Sequence, residues 1–76
     1  MPIVDVKVME KVLSEDQKQA IAEGITAAFV AVVGEAVRPV TWVVIQDVTS
    51  GQWTMGGQPV TTDGVRELLS REAAHA

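Results

Sequence analysis

The sequence lacks cysteine altogether, and only one of its 76 residues is a histidine. Without cysteine the chain forms no disulfide, and a single histidine leaves too few ligands for most metal sites. Lysine and arginine total 6 against 10 acidic residues, a net charge of −4 without a basic cluster, which argues against nucleic-acid binding. No apolar run reaches membrane-spanning length and no signal-like segment precedes the first predicted strand. We therefore expect a cytoplasmic protein without membrane contact.

Apolar residues, in contrast, are abundant: 47% of the chain is hydrophobic and the mean hydropathy is +0.22. No repeat, low-complexity segment or linker divides the sequence, which predicts one domain over residues 1–76, with about residues 71–76 as a frayed tail. A domain of this size buries only a modest fraction of its surface, and oligomerisation is a common way to stabilise it. We expect a homo-oligomer.

Two segments have the pattern of strands. Ile3 to Val8 alternates so that its three valines share one face, which is typical of a half-buried strand. Val40 to Val48 is rich in β-branched residues, with Trp42 among the side chains of one face. The preceding Pro39 is expected to hold the residue before it in extended geometry.

Between these strands the sequence predicts one long helix, from about Glu15 to Val33. Ser14 and Gln17 form a capping-box pattern at its start, and Gly34 is placed to end it with a left-handed C-cap. An apolar stripe with helical spacing consists of Ile21, Ile25, Ala28, Phe29 and Val32. We interpret Phe29 as a core residue and not as a ligand contact.

A strand, a long helix and a second strand predict a right-handed β-α-β unit with parallel strands. Predicted turns at Thr49–Gly51 and Gly56–Gly57 flank an extended piece, Gln52–Met55, which indicates a small hairpin. Thr61–Asp63 is suited to cap a short final helix that ends near Ser70. The fold class is therefore α+β, and because two strands make too small a sheet, we expect pairing with a second subunit.

The candidate for chemistry is Pro2, which directly follows Met1 and begins the first strand. After removal of Met1, its nitrogen is a cyclic secondary amine that accepts a proton or attacks a carbonyl. An ordinary α-amino group titrates near about 8, and burial or a nearby cation lowers that pKa. Such an amine is suited to general-base catalysis near neutral pH. If Met1 is retained, the nitrogen is an amide and has no such role.

Four features occur in order between about residues 2 and 60. They are Met1-Pro2-Ile3 opening a strand, Ser14-Glu15-Asp16-Gln17-Lys18 opening the helix, the valine-rich second strand, and the segment Gly51-Gln52-Trp53-Thr54-Met55-Gly56-Gly57. In this combination and at this chain length, the sequence resembles the 4-oxalocrotonate tautomerase family, the short-subunit branch of the tautomerase superfamily.

The resemblance implies subunits that pair into a four-stranded sheet backed by two helices, with three such dimers forming a homohexamer. It also implies a keto–enol tautomerase, an isomerase that acts on a small-molecule substrate without cofactor or metal. Pro2 would be its general base. Trp53 corresponds to the hairpin aromatic that walls the family's pocket and helps keep the proline's pKa low, with a plain interface aromatic as the alternative.

Family members that act on dicarboxylates carry two arginines that are missing here. The first position falls at Lys11, which offers a point charge but not the bidentate fork of a guanidinium. The position of the second arginine falls on Trp42. We predict that this side chain either lines the pocket or serves only as a packing residue. Nothing in the sequence assigns Arg38, Arg66 or Arg71 to a pocket.

Losing one charge-assisted contact typically costs a few kcal/mol. The loss of both arginines should therefore lower the activity on a dicarboxylate substrate by several orders of magnitude. We therefore expect an enol or 2-oxo acid such as phenylenolpyruvate, contacted by Lys11, Trp42 and Trp53. Two alternatives stay open. Dehalogenase, hydratase or decarboxylase chemistry on a small acid would use a cationic Pro2 and a water activated by a carboxylate, for which Asp47 is the candidate. An inactive oligomeric homologue would keep only the fold.

Overall fold

A computed structural model describes residues 1–75, with side chains described through Arg71. In chain order its regular elements are β1 (Ile3–Met9), α1 (Glu15–Val33), a 3₁₀ helix (Glu35–Val40), β2 (Trp42–Val48), a short 3₁₀ helix (Ser50–Gln52), β3 (Thr54–Met55), β4 (Gln58–Pro59) and α2 (Thr62–His75). None of the helices in the described part of the chain combines the length and apolar character needed to cross a membrane.

Helix α1 begins and ends at the predicted residues because local hydrogen bonds define both ends. Ser14 Oγ accepts from the Gln17 amide at 3.1 Å, and Gln17 Oε1 accepts from the Ser14 amide at 2.9 Å. Gly34 donates its N–H to the Val30 carbonyl oxygen at 2.9 Å. The predicted left-handed cap is wrong in detail: Gly34 has φ +114° and ψ +166°, an extended region open almost only to glycine.

The buried face of α1 is rotated from the predicted stripe. Ile25 and Phe29 are half-buried as expected, but Ile21 is 36% exposed and Val32 is 86% exposed. The half-buried helix positions are Lys18, Ala22, Ile25, Thr26, Phe29 and Val30. Helical periodicity alone is consistent with several neighbouring apolar stripes on α1. The two-stranded sheet is narrow and covers only one of them. Lys18 joins this face because a lysine stem packs on apolar surface.

Strands β1 and β2 are parallel neighbours, as predicted. At the start of the pair, the Trp42 amide donates to the Pro2 carbonyl oxygen at 2.9 Å. At its end, the Glu10 amide donates to the Val48 carbonyl oxygen at 3.0 Å. The two strands therefore run in the same direction, and α1 is the crossover between them.

The two faces of this sheet differ in burial. One face carries the half-buried side chains Val4, Val6, Val8, Val43 and Ile45. The opposite surface, which we name the open sheet face, consists of Ile3, Asp5, Lys7, Trp42, Val44 and Gln46. Across it, Lys7 Nζ donates to Gln46 Oε1 at 3.3 Å, while Ile3 is 67% and Trp42 63% exposed.

The second strand begins at Trp42, two residues later than predicted, because residues 35–40 form a 3₁₀ helix. Arg38 is therefore not extended, contrary to the expectation from Pro39. A side-chain bond of 2.7 Å from Arg38 Nε to Glu35 Oε1 spans one turn of this helix, and Val37 is buried at 8% exposure. Proline has no N–H to give to a strand ladder, which favours starting the strand beyond it.

The chain divides into two compact units, Met1–Lys7 with Ser14–Gln46, and Val8–Leu13 with Asp47–Ala76. In the second unit the predicted hairpin is present: β3 and β4 are antiparallel, joined by two glycines with φ of +58° and +82°. In place of the turn predicted before the hairpin, the structure has the short 3₁₀ helix Ser50–Gln52. Helix α2 continues past its predicted end at Ser70. The single domain and the frayed tail stay predictions, and Ala76 lies outside the described residues.

Candidate active site

Pro2 borders a cavity of about 420 Å³ in the first unit. Its lining is entirely apolar and consists of Met1, Pro2, Phe29, Val33, Ala36, Val37 and Val40. Pro2 is half-buried, and Met1 is 86% exposed. The side chains that line this cavity are apolar and solvate a cation poorly. Such surroundings disfavour the protonated form and lower an amine's pKa.

The strand ladder fixes Pro2 through its backbone. Its carbonyl oxygen accepts the 2.9 Å bond from the Trp42 amide, and β1 begins at the next residue. The Trp42 side chain belongs to the open sheet face and is not part of the cavity lining within this chain. The structure thus joins these two predicted site residues by a main-chain bond, while substrate contact by Trp42 stays a prediction.

Most of the cavity lining was not predicted from the sequence. Phe29 was interpreted as core, and the structure places it half-buried on the cavity wall. Val33 ends α1, while Val37 and Val40 belong to the 3₁₀ helix that the sequence analysis missed. The only available signal was the apolar character of the residues on either side of Pro39. Their position next to Pro2 depends on how α1 returns the chain to the sheet.

Trp53 is held inside the second unit by two hydrogen bonds. Its indole Nε1 donates to the Val48 carbonyl oxygen at 3.1 Å, and its own carbonyl oxygen accepts from the Val60 amide at 3.0 Å. The half-buried ring is therefore fixed between the end of β2 and the segment after the hairpin. Its predicted place in a substrate pocket is not tested by these contacts.

Lys11 also lies in the second unit, in the connection after β1. It is exposed, and its φ of +61° makes it the one residue other than glycine with positive φ between residues 1 and 75. Its carbonyl oxygen accepts a 3.1 Å bond from Arg66 Nη1. No sequence signal links the two residues, which lie 55 positions apart in the chain.

Arg38 is engaged by a carboxylate. The hydrogen bond from Arg38, and then its charge, hold the pKa of Glu35 below its ordinary value of 4.5, and the same bond raises the pKa of Arg38. A carboxylate with a lowered pKa stabilises the fold above its unfolded pKa and loses that contribution as the pH falls. Because both side chains are exposed, water screens the pair and the effect is small. Asp47, the other predicted candidate, is an exposed residue of β2.

No group of three or more histidine, cysteine, aspartate or glutamate side chains is arranged to hold a metal ion in the part of the chain that the structure describes.

The family of tautomerase enzymes matches residues 2–63. A solved structure of the 4-oxalocrotonate tautomerase isozymes from Methylibium petroleiphilum is 31% identical in sequence to this chain. The match covers 84% of this chain and 97% of that chain, with a TM-score of 0.67. DmpI from Helicobacter pylori is 26% identical over 78% of this chain and 95% of its own, with a TM-score of 0.68. No curated protein sequence matches the chain.

TomN, a 4-oxalocrotonate tautomerase homologue of the tomaymycin biosynthetic pathway, shares the fold over 99% of this chain and 100% of its own, at 23% identity and a TM-score of 0.68. The parallel β-α-β unit with a C-terminal hairpin matches the fold of these structures. The chain belongs to the tautomerase family. The family match ends at residue 63, so α2 lies almost entirely beyond it.

Proposed function

We propose that the protein is a cofactor-independent keto–enol tautomerase in which the N-terminal amine of Pro2 is the general base. The observation that carries this proposal is the apolar cavity of about 420 Å³ beside Pro2. An amine there is neutral at a lower pH than an ordinary α-amino group, whose pKa is near about 8. Membership of the tautomerase family supports the same reaction class.

In the direction from enol to ketone, neutral Pro2 takes the proton of the enol hydroxyl. The O–H electrons form the carbonyl, and the electrons of the C=C bond take the proton back from the Pro2 ammonium to form a C–H bond. The amine is regenerated and no electrons leave the substrate. Holding the amine and the substrate carbon in register supplies much of the acceleration.

We assign the substrate class as an enol or 2-oxo acid that is not a dicarboxylate, with phenylenolpyruvate as the test compound. Lys11, Trp42 and Trp53 are the proposed substrate contacts, and the proposed assembly is a homohexamer of three dimers. Lys11 is exposed, so its charge is accessible to an anionic ligand. Trp42 is 63% exposed in the single chain, which fits a contact completed by another subunit. The cytoplasmic location stays a prediction.

The test is ultraviolet-monitored ketonisation of phenylenolpyruvate by protein whose intact mass shows Pro2 at the N-terminus. Pro2→Ala should lower kcat/KM by a hundredfold or more, within the roughly 10²–10⁴ expected for a lost general base. The matched control keeps Met1 in front of an unchanged Pro2, so that the ring is present while its nitrogen is an amide. This form should be as slow as Pro2→Ala.

Equal rates for the wild type, Pro2→Ala and buffer would contradict the proposal. In that case hydrolytic dehalogenation or decarboxylation of a small acid, or an inactive homologue, would be the better reading. A wild-type rate that persists when Met1 is retained would contradict the role of the amine while leaving the tautomerase activity in place.

A further inference from the structure

A second cleft of the first unit lies between α1 and the segment that leads from the 3₁₀ helix Glu35–Val40 into β2. Its volume is about 210 Å³, and none of its lining residues borders the Pro2 cavity. A water molecule takes roughly 30 Å³ of the liquid, so the cleft has room for a molecule of about six non-hydrogen atoms. The polar lining residues are Gln19, Glu23, Thr26, Arg38 and Thr41. The reaction proposed at Pro2 uses none of them.

Opposite charges line this cleft from its two sides. Glu23 belongs to α1 and Arg38 to the 3₁₀ helix, and both are exposed. The pKa of Arg38 is raised first by the hydrogen bond and charge of Glu35, and to a smaller extent by the charge of Glu23. Among the described side chains, Arg38 makes its ion pair with Glu35, through Nε at 2.7 Å, and not with Glu23. The Nη groups of the guanidinium therefore keep donors for a ligand.

The hydroxyl groups of the cleft are restricted to accepting hydrogen bonds from a ligand. Thr26 Oγ1 donates to the Ala22 carbonyl oxygen at 2.9 Å, and Thr41 Oγ1 donates to the Val37 carbonyl oxygen at 2.7 Å. A hydroxyl has one hydrogen and two lone pairs, so each oxygen keeps lone pairs for a donor. The Glu23 carboxylate is a third acceptor. Three acceptor groups match the three N–H bonds of a primary ammonium.

We propose that this cleft binds a small free amino acid. The ammonium of the ligand is held by the Glu23 carboxylate with the hydroxyl oxygens of Thr26 and Thr41. Its carboxylate is held by the Nη groups of Arg38, since a guanidinium is the side chain best suited to a carboxylate. The half-buried Val43 adds apolar lining that suits a short apolar side chain.

The charges at the cleft select a zwitterion over either simple ion. Glu23 and Glu35 together outnumber Arg38, so a plain carboxylate meets net negative charge. A plain amine has no acceptor to offer to the Arg38 donors. L-alanine, which carries both groups, should therefore bind at least tenfold more tightly than acetate or ethylamine.

Binding of L-alanine to the intact protein, followed by chemical-shift changes in two-dimensional NMR spectra, tests the site without any reaction. Glu23→Gln should raise the Kd roughly tenfold to a hundredfold, the effect of one charge-assisted hydrogen bond. Asp16→Asn removes a carboxylate from the same helix outside the cleft and should bind like the wild type. No saturable shift with L-alanine, or equal affinity in the wild type and Glu23→Gln, would overturn the proposal.

Glu35→Gln distinguishes ligand contact by Arg38 from support of the 3₁₀ helix. Glu35 does not line the cleft, so this substitution breaks the ion pair and leaves the guanidinium in place. Glu35→Gln should keep nearly the wild-type Kd, whereas Arg38→Gln should raise it about tenfold or more and Arg38→Lys should recover part of the loss. Equal losses in Glu35→Gln and Arg38→Gln would overturn the assigned role of the guanidinium.

Pro2→Ala separates this cleft from the cavity beside Pro2. The variant should bind L-alanine like the wild type, because the two sites share no lining residue. A loss of affinity in Pro2→Ala equal to that in Glu23→Gln would place the amino acid elsewhere and overturn the proposal. Because binding is measured directly, a protein that turns over no enol would still give each of these results.

Discussion

At the scale of the residue, Pro2 is held by a main-chain hydrogen bond and borders an apolar cavity. Its carbonyl oxygen takes part in the β1–β2 ladder, so the ring is held by the main chain. With Met1 in place its nitrogen is an amide without an N–H, and removal of Met1 makes it the secondary amine that the proposed function requires. The proposed reactivity of that amine depends on the apolar cavity beside it.

The pH dependence of activity should respond to a charge placed in that cavity. Val40 lines it and is 44% exposed, so Val40→Glu adds a carboxylate there without filling a closed core. The carboxylate favours protonated Pro2 and raises the pKa of the amine. Because the base must be neutral, the acidic limb of the profile of kcat/KM against pH should move to higher pH.

Val40→Gln is the matched control, since it adds a similar side chain without charge and should leave the acidic limb in place. The measurement is kcat/KM for phenylenolpyruvate from about pH 5 to 9, a range that includes the pKa of an ordinary α-amino group. An equal displacement of the limb in both variants would show that polarity or shape, not charge, sets the pKa of the base.

At the scale of the element, α1 depends on its N-terminal cap. The reciprocal bonds between Ser14 and Gln17 satisfy two amides that the helix itself leaves without acceptors. Ser14→Ala should therefore lower the free energy of unfolding by about 1 kcal/mol, measured by urea denaturation at fixed protein concentration. Ser70→Ala, at an exposed position inside α2, is the control and should be neutral or slightly stabilising. Equal effects of the two substitutions would contradict the role of the cap.

The start of helix α2 is held to the rest of the second unit by hydrogen bonds. Its first residue, Thr62, is bonded to Glu10 and Ser50, and Arg66, one turn later, is bonded to Lys11. Farther along, Leu68 and Leu69 are 56% and 48% exposed. The N-terminal part of the helix is thus an integral part of the second unit.

At the scale of the whole molecule, the described residues of one chain bury very little. Met9 and Val37 are the only hydrophobic side chains among them that are buried, at 7% and 8% exposure. The open sheet face leaves Ile3, Trp42 and Val44 at 67%, 63% and 45% exposure. Apolar surface of this extent is typical of subunit interfaces, which supports the expectation of a homo-oligomer.

A charge on the open sheet face should therefore break the assembly. Val44→Asp places a carboxylate in the middle of this face, and burying it unpaired in an interface is unfavourable. Analytical ultracentrifugation should give a lower mass for this variant than for the wild type, with circular dichroism as the check on folding. Ala20→Asp, on the exposed side of α1, is the control and should keep the wild-type mass. An unchanged mass for Val44→Asp would place the subunit interface elsewhere.

The sequence by itself determined the features that are decided within a few residues. The ends of α1 follow from the capping box and from Gly34, and the parallel pairing of β1 and β2 follows from the long crossover. The alternating valines of β1 are half-buried as their period predicts. Hydrogen bonds and allowed backbone angles act over one or two turns, so local residues suffice to specify them.

Only the tertiary structure decided which surfaces meet. It rotated the buried face of α1, replaced the predicted start of the second strand with a 3₁₀ helix, and built the cavity beside Pro2. It also brought Arg66 to Lys11 across 55 positions of the chain. Burial and long-range hydrogen bonds depend on the packing of distant segments, and a helix has several faces of similar apolar character. Periodicity alone does not choose between them.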